Sequence, residues 1–253
     1  MDIHDYIQKA DGIVSNHFTE YLKTAQNVGV LLSGGIDSSL ITTYVAHFYN
    51  NAYILSMGTD KTKDKPFAMQ VAKHLGKKLE WVFLSEEEIV HTLPVVRKLL
   101  ERVGVECSTM QLSLATGYFL IFKHAHELGV SAIVTGQGPD ILFAGYHKYK
   151  GMNNDELTSQ IRKDLVLLET DKKRDSAMAS YFGIQLFNPY LEEDFVEFSL
   201  TVPAEYKLKD GIEKVFMREW GRGRGLPEEI INRPKKAFQY STGLQKKIVE
   251  LHA

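Results

Sequence analysis

Apolar positions along the chain follow two spacings in turn. Ile3, Tyr6, Ile7, Ile13, Phe18 and Tyr21 recur at roughly helical intervals, so one or two amphipathic helices are expected over residues 1–26. Residues 28–32 (VGVLL) are a short apolar run that reads as a buried strand and ends in the glycines of SGGIDSS. A helix is expected through 40–49, a second strand over 52–58 (AYILSMG), and a helix over 65–76 that Gly76 closes as a C-cap. A third strand covers 78–85, helices cover 86–103 and about 112–128, and SAIVTG (131–136) is a fourth strand. Strands alternating with helices through short glycine-bearing turns predict the α/β class: a parallel twisted sheet with helices on both faces. Ligands in such sheets bind at the carboxyl ends of the strands, near the point where strand order reverses.

Past Tyr146 the pattern changes to charged helices with no clear strand, and residues 175–206 read as helices broken at Pro189 and Pro203. No repeat, low-complexity tract or linker interrupts the chain. One domain over 1–253 is expected, an α/β core over 1–150 and a helical part over 151–253 that completes it.

Composition narrows the chemistry. A chain of 253 residues can bury a substantial core. Lys plus Arg is 30 against Asp plus Glu at 32, a net charge of -2, so nothing pulls the whole molecule toward nucleic acid or membrane and any anion site must be local. The single Cys107 excludes an internal disulfide, a redox Cys pair and a multi-thiolate zinc site, and suits a reducing cytoplasm. Charges break the N-terminal stretch before a signal-like core can form, and no apolar run approaches the roughly 20 residues a bilayer needs. A soluble cytoplasmic protein is expected.

LLSGGIDSS (31–39) is the strongest local signal. Small residues leaving a buried strand and entering a helix free several backbone N–H groups, which form a phosphate cradle with the helix N-terminus. The hydroxyls of Ser33, Ser38 and Ser39 add donors. Neither the Walker loop nor the Gly-x-Gly-x-x-Gly fingerprint fits these residues. Asp37 would repel a bare polyphosphate, and makes sense if a divalent cation lies between them.

SGGIDSS after a strand resembles the pyrophosphate loop of the ATP pyrophosphatases, which cleave ATP to AMP and pyrophosphate while adenylating a substrate. TGQGPDILFAGY (135–146) resembles the second glycine-rich turn of the asparagine synthetase and β-lactam synthetase family. The stretch from NPYLEEDF to EKVFMRE (188–219) and LPEEIINRPKKAF (226–238) are similar to that family's later motifs, in the family's order. The resemblance implies an adenine nucleotide alpha hydrolase-like fold and a synthetase domain that uses ATP and Mg2+. Residues 33–39, including Gly34 and Gly35, would hold the pyrophosphate end of ATP. Leu31, Leu32, Ser56, Met57 and Gly58 would lie along adenine, Gly136 close to the nucleotide, and Asp37 and Asp140 would hold magnesium. Lys235 matches the lysine that steadies charge on the transferred phosphate and the tetrahedral intermediate. Lys214 and Arg218 are further candidates for phosphate contact.

Other polar residues have plainer readings. His124 and His126 lie two apart on a helix and so face different ways. SEEEI (85–89) is a Ser-capped helix start. His147 follows the glycine-rich turn and could approach substrate.

The departures from the family concern the acceptor. Its glutamine-using members carry a cysteine nucleophile directly after the initiator methionine. Here that place is Asp2, so nitrogen would come from ammonia, a separate glutaminase subunit, or an amine in the substrate. Gln137 stands where asparagine synthetases have a Glu that takes a proton from ammonia and β-lactam synthetases have a Tyr. A Gln can orient a nucleophile but is no general base. Pro139 and Ile141 replace a Ser and a Glu, Phe187 replaces an Arg, and Glu192 replaces an Asp. Three readings stay open: amidation of aspartate by ammonia, amidation or cyclisation of another small carboxylate, and a non-catalytic ATP-binding subunit or sensor. A homo-oligomer is compatible with each. A tRNA-modifying relative would show paired cysteines or a basic patch, which this sequence lacks.

Overall fold

The computed structural model describes residues 1–21, 25, 27–234 and 238–252. Five parallel strands form the central sheet: β1 (Val28–Leu31), β2 (Tyr53–Gly58), β3 (Leu79–Phe83), β4 (Ala132–Val134) and β5 (Gln185–Phe187), in the order β3-β2-β1-β4-β5. β1 and β4 are buried throughout, as the covered faces of a parallel sheet require.

The helices of the first half are α1 (Ile3–Tyr21), α2 (Ile36–Phe48), α3 (Lys65–His74), α4 (Glu86–Arg102), α5 (Thr109–Glu127) and the short α6 (Pro139–Leu142). Then come α7 (Asn154–Tyr181), α8 (Glu193–Thr201), α9 (Ala204–Lys207), a two-residue hairpin of β6 (Leu208–Lys209) and β7 (Ile212–Glu213), α10 (Val215–Gly223), α11 (Glu228–Ile231), α12 (Phe238–Ser241) and α13 (Leu244–His252). Ser85 caps α4 through the Glu88 backbone N–H, as its SEEEI sequence predicts.

Each sheet face carries its own core. On one side Phe18 of α1, Tyr44 of α2 and Trp220 of α10 pack over β1 and β4. On the other, Leu100 of α4, Phe122 of α5 and Ile248 of α13 cover Leu55 and Ile133. This is the doubly wound α/β arrangement that the strand–helix alternation predicts.

The strandless reading of the second half is corrected. β5 lies at residues 185–187 and pairs with β4 (Ala132↔Gln185, Val134↔Phe187), while β6 and β7 pair with each other. β5 escapes the pattern because it begins with exposed Gln185 and follows a 28-residue helix after only three residues, whereas the equally short β4 is apolar and buried throughout. Sheet pairing, a long-range effect, makes it a strand.

From β1 the chain turns to β2 on one side, and later returns to β4 on the other. The crevice between the carboxyl ends of β1 and β4 is thus the switch point.

Candidate functional site

The two turns that leave β1 and β4 face each other across that crevice. In the first, hydroxyls fix the backbone. Ser33 N donates to Ser38 Oγ at 3.1 Å, the two hydroxyls lie 3.0 Å apart, and Ser38 Oγ donates to Gly35 O at 3.2 Å. Gly34 sits at φ +73°, and a Cβ there would meet Ala68 N at 2.6 Å, so only glycine lets the turn lie against α3. No side chain caps α2, and its first-turn N–H groups point out of the helix beside the crevice.

Asp37 in the first turn of α2 and Asp140 in α6 both reach the ammonium of Lys214. Nζ is 2.6 Å from Asp140 Oδ1 and also pairs with Asp37. Lys214 stands just before α10 with a left-handed backbone (φ 58°, ψ 35°), a conformation that costs a non-glycine residue about 1–2 kcal/mol. Burial pulls its pKa down, but Asp140 and Asp37 outweigh that and raise it, so it stays charged. Gly145 makes room for it: a Cβ there would collide with Lys214 Cε and lie 2.5 Å from Asp140 Oδ1.

These carboxylates fit a magnesium ion. Two hard oxygen donors from distant segments already converge on one cationic atom, and magnesium is commonly held by one or two carboxylates together with substrate phosphates. Among the described residues no cluster of three or more His, Cys, Asp or Glu has metal-binding geometry.

A second polar group forms the wall opposite the loop. Gln137, in the β4–α6 turn, donates from Nε2 to Asp175 Oδ2 at 3.0 Å. Arg174 donates from Nε to Asp175 Oδ1 at 2.7 Å, and from Nη1 to Asp171 Oδ1 at 2.6 Å and Gln111 Oε1 at 2.9 Å. Arg174 and Asp175 are both buried. Burial lifts the Asp175 carboxyl to about 6 even though Arg174 opposes the shift. Arg174 lines the cavity, and its buried Nη2 has no hydrogen-bond partner among the described residues.

Between these walls lies a cavity of about 380 Å³, a size typical of small-molecule sites. It brings together Leu31, Leu32, Ser33, Gly35, Asp37, Ser38, Ser56, Met57, Gly136, Gln137, Asp140, Lys214 and Arg218. Three candidates stand back from the wall. Gly34 faces α3, Gly58 packs against Thr62, and Ser39 is fully buried. Arg218 is turned to backbone, donating to Glu213 O at 2.9 Å and to Ile231 O. Lys235 lies outside the described residues. Phe187 is in the core against Phe18, with no place on the cavity wall.

Sequence reasoning passed over two parts of the site. Arg233 donates to Ser33 O at 2.9 Å and pairs with buried Asp64 at 2.5 Å, tying the loop to the N-terminus of α3. Its place in RPKK beside Lys235 was the available signal. Asp171, Arg174 and Asp175 were hidden among the charges of α7. Their spacing at i, i+3 and i+4, continued by buried Met178 at i+7, marks an inward face.

A glycine-rich turn and a carboxylate-bearing turn at the switch point of a doubly wound sheet define an α/β protein with a ligand cleft at its strand ends. The sequence profile described as asparagine synthase matches residues 15–170 and 154–251, and the chain belongs to that family. It is 28% identical to a putative glutamine-hydrolysing asparagine synthetase 1 of Methanocaldococcus jannaschii, over 98% of this chain and 51% of that protein. It is 30% identical to the glutamine-hydrolysing asparagine synthetase of Rattus norvegicus, over 89% of this chain and 42% of the relative. The chain thus spans about half the length of these relatives, or less. Among solved structures, NMN synthetase from Francisella tularensis aligns with all of this chain and 86% of its own at 12% identity and a TM-score of 0.48. Among the described residues no helix is long and apolar enough to cross a membrane.

Proposed function

We propose that the chain is an ATP-dependent, AMP-forming carbon–nitrogen ligase. It adenylates a small carboxylate and passes the acyl group to ammonia or another amine. One observation carries this reading: Asp37 and Asp140, from the two strand-end turns, meet at Lys214 beside a glycine-rich loop, in a member of the asparagine synthase family. The loop from Ser33 to Ser38 takes the pyrophosphate end of ATP, and Arg233 holds its Ser33 carbonyl in place. Leu31, Leu32, Ser56 and Met57 line the adenine side, with Gly136 against the nucleotide. Magnesium, when bound by Asp37 and Asp140, neutralises phosphate charge. Lys214 places a fixed ammonium where negative charge develops on the phosphates. Lys235 is assigned the same office toward the α-phosphate on sequence grounds.

In the first half-reaction a carboxylate oxygen bonds to the α-phosphorus and pyrophosphate leaves. In the second, nitrogen bonds to the acyl carbon, AMP departs with the electron pair of the broken C–O bond, and one proton passes to water. Aspartate with ammonia is the nearest substrate pair. Gln137 in the acceptor wall and Phe187 in the core favour a different small carboxylate as the second reading.

The test is pyrophosphate release from ATP and Mg2+ with aspartate, with and without ammonium, following asparagine by mass. Aspartate-dependent release with stoichiometric asparagine supports the aspartate reaction. Release with another carboxylate alone moves the assignment to that acceptor, and no release with any carboxylate defeats the ligase reading.

A further inference from the structure

Gln137 cannot take a proton, yet it occupies the acceptor wall and is held there by a carboxylate that the cavity does not touch. Asp175 sits behind it on α7, with one oxygen accepting from Gln137 Nε2 and the other from Arg174 Nε. An ionised carboxylate only accepts, so the Gln137 side chain must present its NH2 end to Asp175. Oε1 then lies on the side of the amide turned away from Asp175, and Gln137 is one of the residues that line the cavity. Arg174 is fixed in turn by Asp171 and Gln111, so the anchor spans α5 and α7 and leaves Asp175 little freedom to turn. Burial raises the Asp175 carboxyl only to about 6, so it remains ionised at neutral pH.

We infer that Asp175 is a positioning residue for the acyl-transfer half of the reaction: it locks the Gln137 amide with Oε1 toward the cavity, where that oxygen accepts an N–H of the attacking amine. The inference rests on the amide-ligase reading. An N–H pinned to Oε1 directs the nitrogen lone pair away from Gln137 and toward the acyl carbon. Nitrogen must then arrive as a neutral amine, because Gln137 takes no proton from it.

Asp175→Asn keeps the shape but can offer either oxygen or NH2 to Gln137, so the amide is released to flip. The KM for the amine is expected to rise roughly tenfold, the effect of one lost hydrogen bond, while the KM for ATP holds. Pairing it with Gln137→Glu restores the arrangement with donor and acceptor exchanged: the amide introduced on α7 donates, and a carboxylate oxygen again faces the cavity. That double variant is expected to recover the amine KM, to a value below that of Gln137→Glu alone, in which two carboxylates oppose each other. A Glu acting on its own as a base, with Asp175 merely structural, would give the single and double variants the same amine KM. Side-chain NH2 resonances of Gln137, assigned by their loss in Gln137→Glu, give a readout independent of turnover and are expected to shift in Asp175→Asn. Unchanged amine KM and unchanged resonances in Asp175→Asn overturn the inference alone. Joint loss of ATP and amine binding that the double variant does not repair also overturns it. Absence of carboxylate-dependent pyrophosphate release in the unmodified protein defeats the ligase reading, and the inferred role with it.

Discussion

Lys214 is the residue on which the two halves of the cleft meet. Its buried ammonium balances two half-buried carboxylates, and removing it leaves their charge uncompensated, at a cost of at most about 3–5 kcal/mol, the figure for a fully buried pair. Lys214→Met is expected to lower the melting temperature and abolish pyrophosphate release. Mg2+ should restore more of the lost melting temperature in this variant than it adds to the parent, because the divalent ion can stand in for the ammonium. Thermal unfolding with and without Mg2+ checks this, and equal shifts in both proteins would count against a shared cation position. Gly145→Ala attacks the same point from outside. Its methyl group would displace Lys214, so turnover should fall at least tenfold although residue 145 bears no reactive group. Asp37 and Asp140 were legible in the sequence because both stand in glycine-framed turns of recognisable pattern. Asp175 was not, since its one local signal, a face shared with Asp171, Arg174 and Met178, is also what a solvated ion-pair face of a charged helix shows.

At the scale of elements, the loop after β1 faces a wall built jointly by the β4–α6 turn and α7. α7 starts with a capping box: Asn153 accepts from Asp155 and Glu156, and Glu156 returns a bond to the Asn153 backbone. Asn153→Ala should cost about 1 kcal/mol, lowering the melting temperature by a few degrees while leaving KM values unchanged. A scan with parallel kinetics separates this from damage to the wall. β1 to β4 could be read as short apolar runs between helices, and most helices are long enough to show their period. β5 could not, because its three residues become a strand only through pairing with β4.

At the scale of the molecule, a doubly wound sheet places two distant turns together and encloses them with helices from the second half. That enclosure buries Lys207 of α9. Burial, with Arg162 nearby, pulls its ammonium down to about 7. A folded pKa below the unfolded one means the unfolded chain binds more protons between about pH 7 and 10, so stability rises with pH across that window. Below pH 7 the buried charge is carried at full cost. Lys207→Met should therefore melt higher than the parent at pH 6, with the advantage shrinking toward pH 10. Melting curves at pH 6, 8 and 10 test it, and a constant difference would contradict it. The family of the chain was legible from four motifs in order, whereas the acceptor was not. On the proposed reading its recognition depends on how α5, α7 and the β4 turn pack, and that packing is set by contacts far apart in the sequence.

The central claim is that a carboxylate is activated as an acyl-adenylate at the Asp37–Asp140 turns. The most direct measurement supplies the acceptor with 18O in its carboxylate and follows the label by mass spectrometry after turnover with ATP, Mg2+ and amine. Adenylation predicts one 18O in AMP and none in pyrophosphate, with transfer lost in Asp37→Ala. Label in inorganic phosphate alongside ADP, or product formed with no label in AMP, would contradict the account.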